Sequence, residues 1–447
     1  MHLNKENILF VKNITIALIS FTISILLYYW GYNNVSSIIL ILSSTFLVYL
    51  NKKFYGYYTN PIGIFSGIWL FTIGLATLRF HPLQVEWSYA TWYCLLTAYI
   101  CFVLGYFIKN KRVHIPVFSV DNKKQSFIFI LLLFFCAVVS FLIECYVCKD
   151  LPFFSKSQES YKNFGISGIR YFVSSIALIL PLSCIYVAKF KQHIQKKEMF
   201  WIILINVISF SIPFFIVSRG LVLTILIVTL MTLCGIYKKR ELIVILLILP
   251  ITMFSWKYLG EHRNQDEEYL NFSFKMNIEK YDSNTKKKTH KNSKINNAKI
   301  MRTYMYLAAN YDNFDTNVKN PKKREYGLNT FFPVFALTGL KFVLHFNFSE
   351  WRFRKFVETF NTYPILATPY FDFGYIGIVF YMFIIGFLCR FIEKFYFNTI
   401  LNSLCKFALC FCFFVSYFSY PAFWAYIIVV TIGWAIYSKI YEMCVKK

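Results

Sequence analysis

The sequence predicts an all-α polytopic membrane protein with about twelve transmembrane helices and one large loop outside the membrane. Three observations carry that expectation. Hydrophobic residues fill 57% of the 447 positions and charged residues 15%, whereas soluble domains carry about 25% charged residues. Apolar runs of roughly 17 to 22 residues recur along the chain, each long enough to cross a ~30 Å hydrocarbon core as a helix. The basic residues behind the net charge of +25 lie between those runs rather than on one basic face. That pattern points to a membrane and away from nucleic acid.

The runs fall at 8–27, 33–50, 62–78, 89–108, 126–147, 167–188, 200–217, 220–236, 241–257, 369–390, 404–419 and 421–440. Lys5 and Lys12 accompany the first run with no small-residue cleavage site after it, so it reads as a retained signal anchor. Twelve runs put both termini on one side. The N-terminus, Lys52-Lys53, Lys109 to Lys124, Lys189 to Lys197, Lys238 to Arg240, Arg390 to Lys406 and the C-terminus together hold 22 of the 47 Lys and Arg. The alternate short connections hold six, namely Arg79, Lys149, Lys156, Lys162, Arg170 and Arg219. Basic residues in short connections favour the cytoplasm, so the first set is read as cytoplasmic. The organisation expected is a nine-span bundle over 1–256, a large outer loop over 257–368 and three further spans over 369–447. Long loops translocate largely regardless of charge.

The large loop holds much of the polar chemistry. Residues 281–299 are rich in Asn, Lys, Ser and Thr with almost nothing to bury, the composition of a solvated linker. Met301, Tyr304, Met305 and Ala308 stand at helical spacing, which predicts an amphipathic helix over Ile300 to Tyr311 near the membrane surface. Asn329 to Asn347 is apolar but interrupted by Pro333 and Gly339, and reads as a re-entrant or interfacial segment packed against the spans. Cysteines lie mostly inside apolar runs. Cys145 and Cys148 form a CxxC, and without a second Cys pair or a nearby His the structural reading outweighs zinc or redox chemistry. With HExxH, GxSxG and Gly-rich phosphate loops all missing from the sequence, no metal or other cofactor is expected. A solute transporter would show internal repeats or broken helices in matched halves, and the sequence carries neither.

Arg79, Arg170, Arg219 and Arg263 break the charge pattern on the outer side. Guanidiniums gathered at one membrane depth suit a phosphate-bearing lipid, because arginine binds phosphate bidentately and keeps its charge when partly desolvated. Snorkelling or helix capping is the simpler reading for Arg79 alone. Arg219 has less choice, since Ser218-Arg219-Gly220 is a tight link between two long runs. Asp372, in Tyr370-Phe371-Asp372-Phe373-Gly374, stands at the start of the tenth run. A carboxylate at that depth is either functional or complements the helix dipole.

Together these pieces resemble the O-antigen polymerase (Wzy-type), or oligosaccharide repeat unit polymerase, family. The matching pieces are Glu144 to Ile166 with Leu151-Pro152-Phe153-Phe154, Ser218-Arg219-Gly220, Gly260 to Arg263, Tyr311 to Asp315, Tyr326-Gly327 followed by Phe331-Phe332-Pro333, and Asn361-Thr362-Tyr363 leading to Tyr370 to Gly377. The order of pieces carries the likeness more than any one of them. The Lys-rich stretch 281–299 departs from the pattern.

The resemblance implies a GT-C-like glycosyltransferase of the bacterial inner membrane in lipopolysaccharide biosynthesis. It would work on the periplasmic face, with both termini cytoplasmic. It would transfer an undecaprenyl-pyrophosphate-linked glycan onto another lipid-linked repeat unit, with membrane lipids and a chain-length regulator protein as further partners. On that reading Arg219 and Arg263, with Arg170 and Arg79, hold the donor pyrophosphate and offset the charge of the leaving group. The expected catalytic set is Arg263, Asp372 and His345, the last two being the choices for a base, with Asp315 behind them. Tyr311 and Tyr326 would line the sugar path. The alternatives are an O-antigen ligase, of similar architecture, and a lipid-linked oligosaccharide flippase, which should keep short loops.

Overall fold

A computed structural model describes residues 5–81, 84–108, 122–155, 160, 163–237, 250–251, 298–321, 323–343, 362–394, 400–414, 416 and 421–445. Arg263, His345 and most of the ninth apolar run lie outside the described residues.

Every regular element among the described residues is helical. In chain order they are α1 (Lys5–Tyr29), α2 (Asn33–Tyr55), α3 (Pro61–Thr77), α4 (Tyr89–Phe107), α5 (Lys123–Cys148), the short α6 (Pro152–Ser155), α7 (Ile169–Ser174), a 3-10 turn (Ser175–Leu178), α8 (Ile179–Phe190), α9 (Lys196–Phe215) and α10 (Arg219–Ile236). The large loop contributes α11 (Ala298–Lys319), α12 (Phe332–Thr338) and α13 (Leu340–Val343). The chain closes with α14 (Ala367–Lys394), α15 (Ile400–Phe414) and α16 (Pro421–Val445). Among the described residues, eight helical stretches are long and apolar enough to cross a membrane, with α7 to α8 counting as one, and Pro61–Thr77 and Ser403–Phe414 are shorter apolar helices. The protein is a multi-pass helical membrane protein.

Helix starts follow local chemistry. Pro61 sits at the first turn of α3, and the Asn60 side chain accepts from Gly63 N at 2.7 Å. Ser88 caps α4 and Ser218 caps α10 by the same means. Each supplies an acceptor for an amide that has no partner within its own helix.

The helices form two groups. In the first, α1 to α4 pack with α14, while α11 lies on α3 and α4. Small and hydroxylic residues set these contacts, as expected where lipid removes the hydrophobic drive between helices. Ser24 and Ser36 exchange side-chain to backbone hydrogen bonds between α1 and α2, at 3.2 and 2.9 Å, and Ser44 donates to Gly67 O at 2.8 Å. Gly105 of α4 abuts the Phe383 carbonyl, and Gly386 of α14 abuts the Phe102 carbonyl. Neither position leaves room for a Cβ, so the two backbones meet at their glycines.

In the second group, α5, α7, α8, α9, α10 and α16 share a core of aliphatic and aromatic side chains. Ile176, Ile179, Tyr186, Ile216 and Val228 are buried in it, and Phe129 meets Trp434 edge-on at 4.7 Å. Helix α15 joins the groups: Leu409 and Phe413 belong to the first core, and Cys410 and Phe411 to the second. The sequence divisions 1–256 and 369–447 are therefore interwoven in space, since α14 pairs with α4 and α15 sits between α3 and α10.

The helix foreseen over 300–311 runs on to Lys319, and its polar half does not face outward. Asn310, Tyr311, Asp312, Asn313, Phe314 and Asp315 are all fully buried. The reason is polar pairing: α11 is covered by residues that hydrogen-bond its polar side chains, so its hydrophilic stripe marks an interface rather than a water-facing surface.

Candidate functional site

Among the described residues, the connections that carry expected site residues gather at one end of the bundle. Arg79 follows α3, residues 84–88 lead into α4, Glu144 and Cys148 end α5, Arg170 opens α7, Arg219 opens α10, and 362–374 begins α14. Two polar constructions stand there.

The first is the seat of α11. Asp312 accepts from Gln84 Nε2 at 3.0 Å and from Trp87 Nε1 at 2.7 Å. Gln84 Oε1 in turn accepts from the Tyr304 hydroxyl at 2.7 Å. Asp315 accepts from Ser88 N at 2.7 Å, Ser88 Oγ at 3.0 Å and Thr91 Oγ1 at 2.7 Å, and pairs with Lys319 at 2.7 Å. Tyr311 reaches down to Thr72, hydroxyl to hydroxyl at 2.7 Å, and Asn313 donates to Thr362 O at 2.9 Å. Arg79 donates to Gln84 O at 3.2 Å, its guanidinium 6.0 Å from the centre of the Tyr28 ring.

Burial dominates the electrostatics of this seat. It pushes the Asp312 carboxyl up to about 7, against the lowering pull of the Trp87 and Gln84 donors. Burial also lowers His81 to about 4 and raises the Tyr304 hydroxyl.

The second construction spans a break in α14. Gly374 adopts φ 69° and ψ −149° inside the helix, a conformation open to glycine at little cost. The carbonyls freed by the break find donors in the loop: Arg324 Nη1 donates to Tyr370 O at 2.7 Å, Glu325 N to Phe371 O at 3.4 Å and Tyr326 N to Asp372 O at 3.3 Å. Asp372 holds the same loop by its side chain. It is fully buried, and it accepts from Asn329 N at 3.2 Å, Asn329 Nδ2 at 2.9 Å, Thr330 N at 2.6 Å and Thr330 Oγ1 at 2.6 Å. Both carboxyl oxygens are thus occupied twice from within the fold.

No family model, curated protein or solved structure matches this chain.

The expected residues divide among several places. Arg79, Tyr311 and Asp315 share the α11 seat, whereas Asp372 and Tyr326 share the turn at the helix break. Arg170 stands apart: its Nη1 donates to the buried Glu144 at 2.7 Å, its guanidinium lies 5.3 Å from the Phe164 ring centre, and Glu144 also accepts from Ile166 N at 3.0 Å. Arg219 begins α10 behind Ser218. The loop segment that begins beside Arg324 continues through Ala336, whose carbonyl would lie 3.2 Å from a Cβ at Gly168. It connects the Asp372 turn to the start of α7. Among the described residues, no group of three His, Cys, Asp or Glu side chains is placed to hold a metal ion.

Sequence reasoning passed over Arg324, Asn329, Thr330 and Asp312. Arg324 sits in the charged run Lys322-Lys323-Arg324-Glu325, which looks like solvated loop. A usable clue was the repetition of short polar residues, Asn329-Thr330, just ahead of an apolar stretch, since such side chains satisfy a buried acceptor readily.

Proposed function

We propose that this chain is an oligosaccharide repeat unit polymerase of the Wzy type. It transfers an undecaprenyl-pyrophosphate-linked glycan onto another lipid-linked repeat unit at the periplasmic face of the inner membrane. One observation carries the reading: the polar connections of a multi-span bundle converge on one end, where a loop segment packs across a broken helix and presents arginine beside the apolar spans. An amphiphile with an anionic head needs that arrangement, because its tail stays in lipid while its head meets fixed charge. The full reading has about twelve spans in a GT-C-like arrangement with both termini cytoplasmic.

In this scheme Arg219 and Arg263, with Arg170 and Arg79, serve the donor phosphates and His345 the acceptor hydroxyl, while Asp372 holds the turn that the reaction uses and the buried Asp315 holds α11. The test is the surface polysaccharide ladder in cells lacking the gene, complemented with the wild-type chain or with Arg263→Ala at matched expression. The reading expects core plus a single repeat in the deletion, a ladder restored by wild type, and none with Arg263→Ala. A full ladder in the deletion would remove the protein from this step. A flippase is the second reading, favoured by the break at Gly374, since discontinuous helices build many transporter sites. Loss of even the single repeat would favour it, or a ligase.

A further inference from the structure

We infer that Arg324 and Tyr326, on the turn pinned by Asp372, form a binding site for the phosphate and first sugar of a lipid-linked glycan. The inference rests on the reading above; it adds Arg324 and assigns the phosphate and the first sugar to separate side chains.

The turn is unusually well held. Three donors from 324–326 satisfy the broken helix, and four more from 329–330 satisfy Asp372. At its tip Tyr326 has φ 46° and Gly327 φ 97°. A left-handed tyrosine costs free energy and persists only where its surroundings over-determine it, which is a mark of functional positions. The Tyr326 side chain gains no packing in return, because it remains 77% exposed. The fold spends its anchoring on holding an aromatic ring outside itself.

Arg324 stands beside it, half-buried. Its guanidinium lies over Tyr370, 5.0 Å from the ring centre, and Nη1 is fixed on Tyr370 O. Nη2 would lie 2.9 Å from a Cβ at Gly374, so the missing side chain there is what admits the guanidinium. Guanidinium has five N–H donors; among the described residues Nη1 donates to Tyr370 O and the guanidinium also meets the Tyr370 hydroxyl, which leaves part of the fork for a ligand. A stacked, oriented guanidinium with free donors suits a phosphate.

The surroundings say what kind of phosphate. Ile376, Phe380 and Ile384 are exposed on α14 at helical spacing beyond the break at Gly374, so an apolar stripe runs down the helix from the level of Arg324. A ligand with its phosphate on Arg324 can lay a hydrocarbon tail along that stripe, while Tyr326 offers its face to a ring beyond the phosphate. Glu325, between the two, brings an acceptor suited to sugar hydroxyls. Asp372 is then a positioning residue, acting through the turn rather than on the ligand.

The test uses the full-length chain in lipid nanodiscs and three probes: undecaprenyl diphosphate carrying one N-acetylhexosamine, undecaprenyl diphosphate alone, and inorganic pyrophosphate. Arg324→Gln is expected to weaken both lipids about tenfold or more, the usual consequence of losing charge-assisted hydrogen bonds. Tyr326→Ala is expected to weaken only the sugar-bearing lipid, by about three- to tenfold, from lost ring contact. Tyr326→Phe should bind as wild type. Asp372→Asn should weaken the sugar-bearing lipid and be rescued by neither side-chain variant. Pyrophosphate binding as tight as the lipids, or Arg324→Gln and Tyr326→Ala binding both lipids as wild type, overturns the site. Should Arg324→Gln not fold, Arg324→Lys and the exposed Tyr326→Ala decide it. The two ideas fail separately: a full ladder in the deletion with this binding pattern intact sinks the polymerase and leaves the site, and the reverse outcome does the opposite.

Discussion

The two helical groups hold their polar residues in opposite ways. Around α11 and the start of α14, three buried carboxyl groups, Asp312, Asp315 and Asp372, are each met by hydrogen-bond donors from a different segment of the chain. Across α5 to α10 the core is aliphatic and aromatic, and its main polar fixture is Glu144 with Arg170 and Ile166 N. The difference teaches where specificity of packing resides. Apolar helix faces in lipid find many acceptable partners, whereas a buried carboxyl group accepts few positions, because leaving it or its donors unpaired is costly. The first group is the one with fixed geometry, and the turn at Asp372 belongs to it.

Replacing Asp312 by Ala should break the comparison most strongly. Trp87 Nε1 would be left buried without an acceptor and Gln84 Nε2 with only the distant Ala76 O at 3.4 Å, a loss of roughly 3 kcal/mol. Thermal unfolding of the purified protein followed by size-exclusion chromatography would register it, and an unchanged midpoint would contradict the importance given to the α11 seat.

Acidity should sharpen it next. Asp312 is raised from about 4 to about 7 by burial, so the folded chain binds that proton more tightly than the unfolded one. Its contribution to stability is complete below pH 4 and is lost as the pH rises to 7. The neighbouring His81 is lowered to about 4 and works the other way, because the unfolded histidine gives up its proton as the pH rises through about 6.5, and Arg79 and Asp315 complete the charged surroundings. Hydrogen exchange along α11, after correction for intrinsic exchange, should therefore quicken from pH 5 to pH 7.5 in the wild type relative to Asp312→Asn, which keeps the His81 contribution and lacks that of Asp312.

Gly386→Val tests the helix contact rather than the carboxyl groups. A side chain there meets the Phe102 carbonyl, and overpacking of this kind costs about 1 to 3 kcal/mol. Glu144→Gln, in the second group, keeps an acceptor for Ile166 N but loses the charge facing the partly exposed Arg170. About 1 kcal/mol is expected after allowing for solvent screening. Tyr326→Ala should change the melting midpoint least, by under about 0.5 kcal/mol, because the ring is exposed. A large effect of Tyr326→Ala on stability would mean that the turn serves the fold rather than a ligand.

Much of the helical frame was legible in the sequence. The runs at 8–27, 33–50, 62–78, 89–108 and 126–147 each fall within or nearly upon a helix, because a stretch of some twenty apolar residues has few other ways to satisfy its backbone in lipid. The loop was read less well. The spacing of Tyr304, Met305 and Ala308 gave a helix, but the polar residues after them suggested a surface, while Asn310 to Asp315 are enclosed. Hydropathy measures a side chain's cost in apolar surroundings and cannot register the donors that remove that cost.

By itself the sequence determined an all-helical, multi-pass membrane protein with basic residues in alternate connections, and it put arginines and Asp372 near one end of the spans. Those are properties of composition and period, which act locally. Tertiary structure alone decided that Asp372 would be filled by Asn329 and Thr330 and that Asp312 would find Gln84 and Trp87. It also decided that Arg324 would lie against a broken helix at Gly374. Such pairings join residues 42 to 228 positions apart, and hydrogen-bond geometry at that separation is fixed by how the helices pack, not by any pattern along the chain.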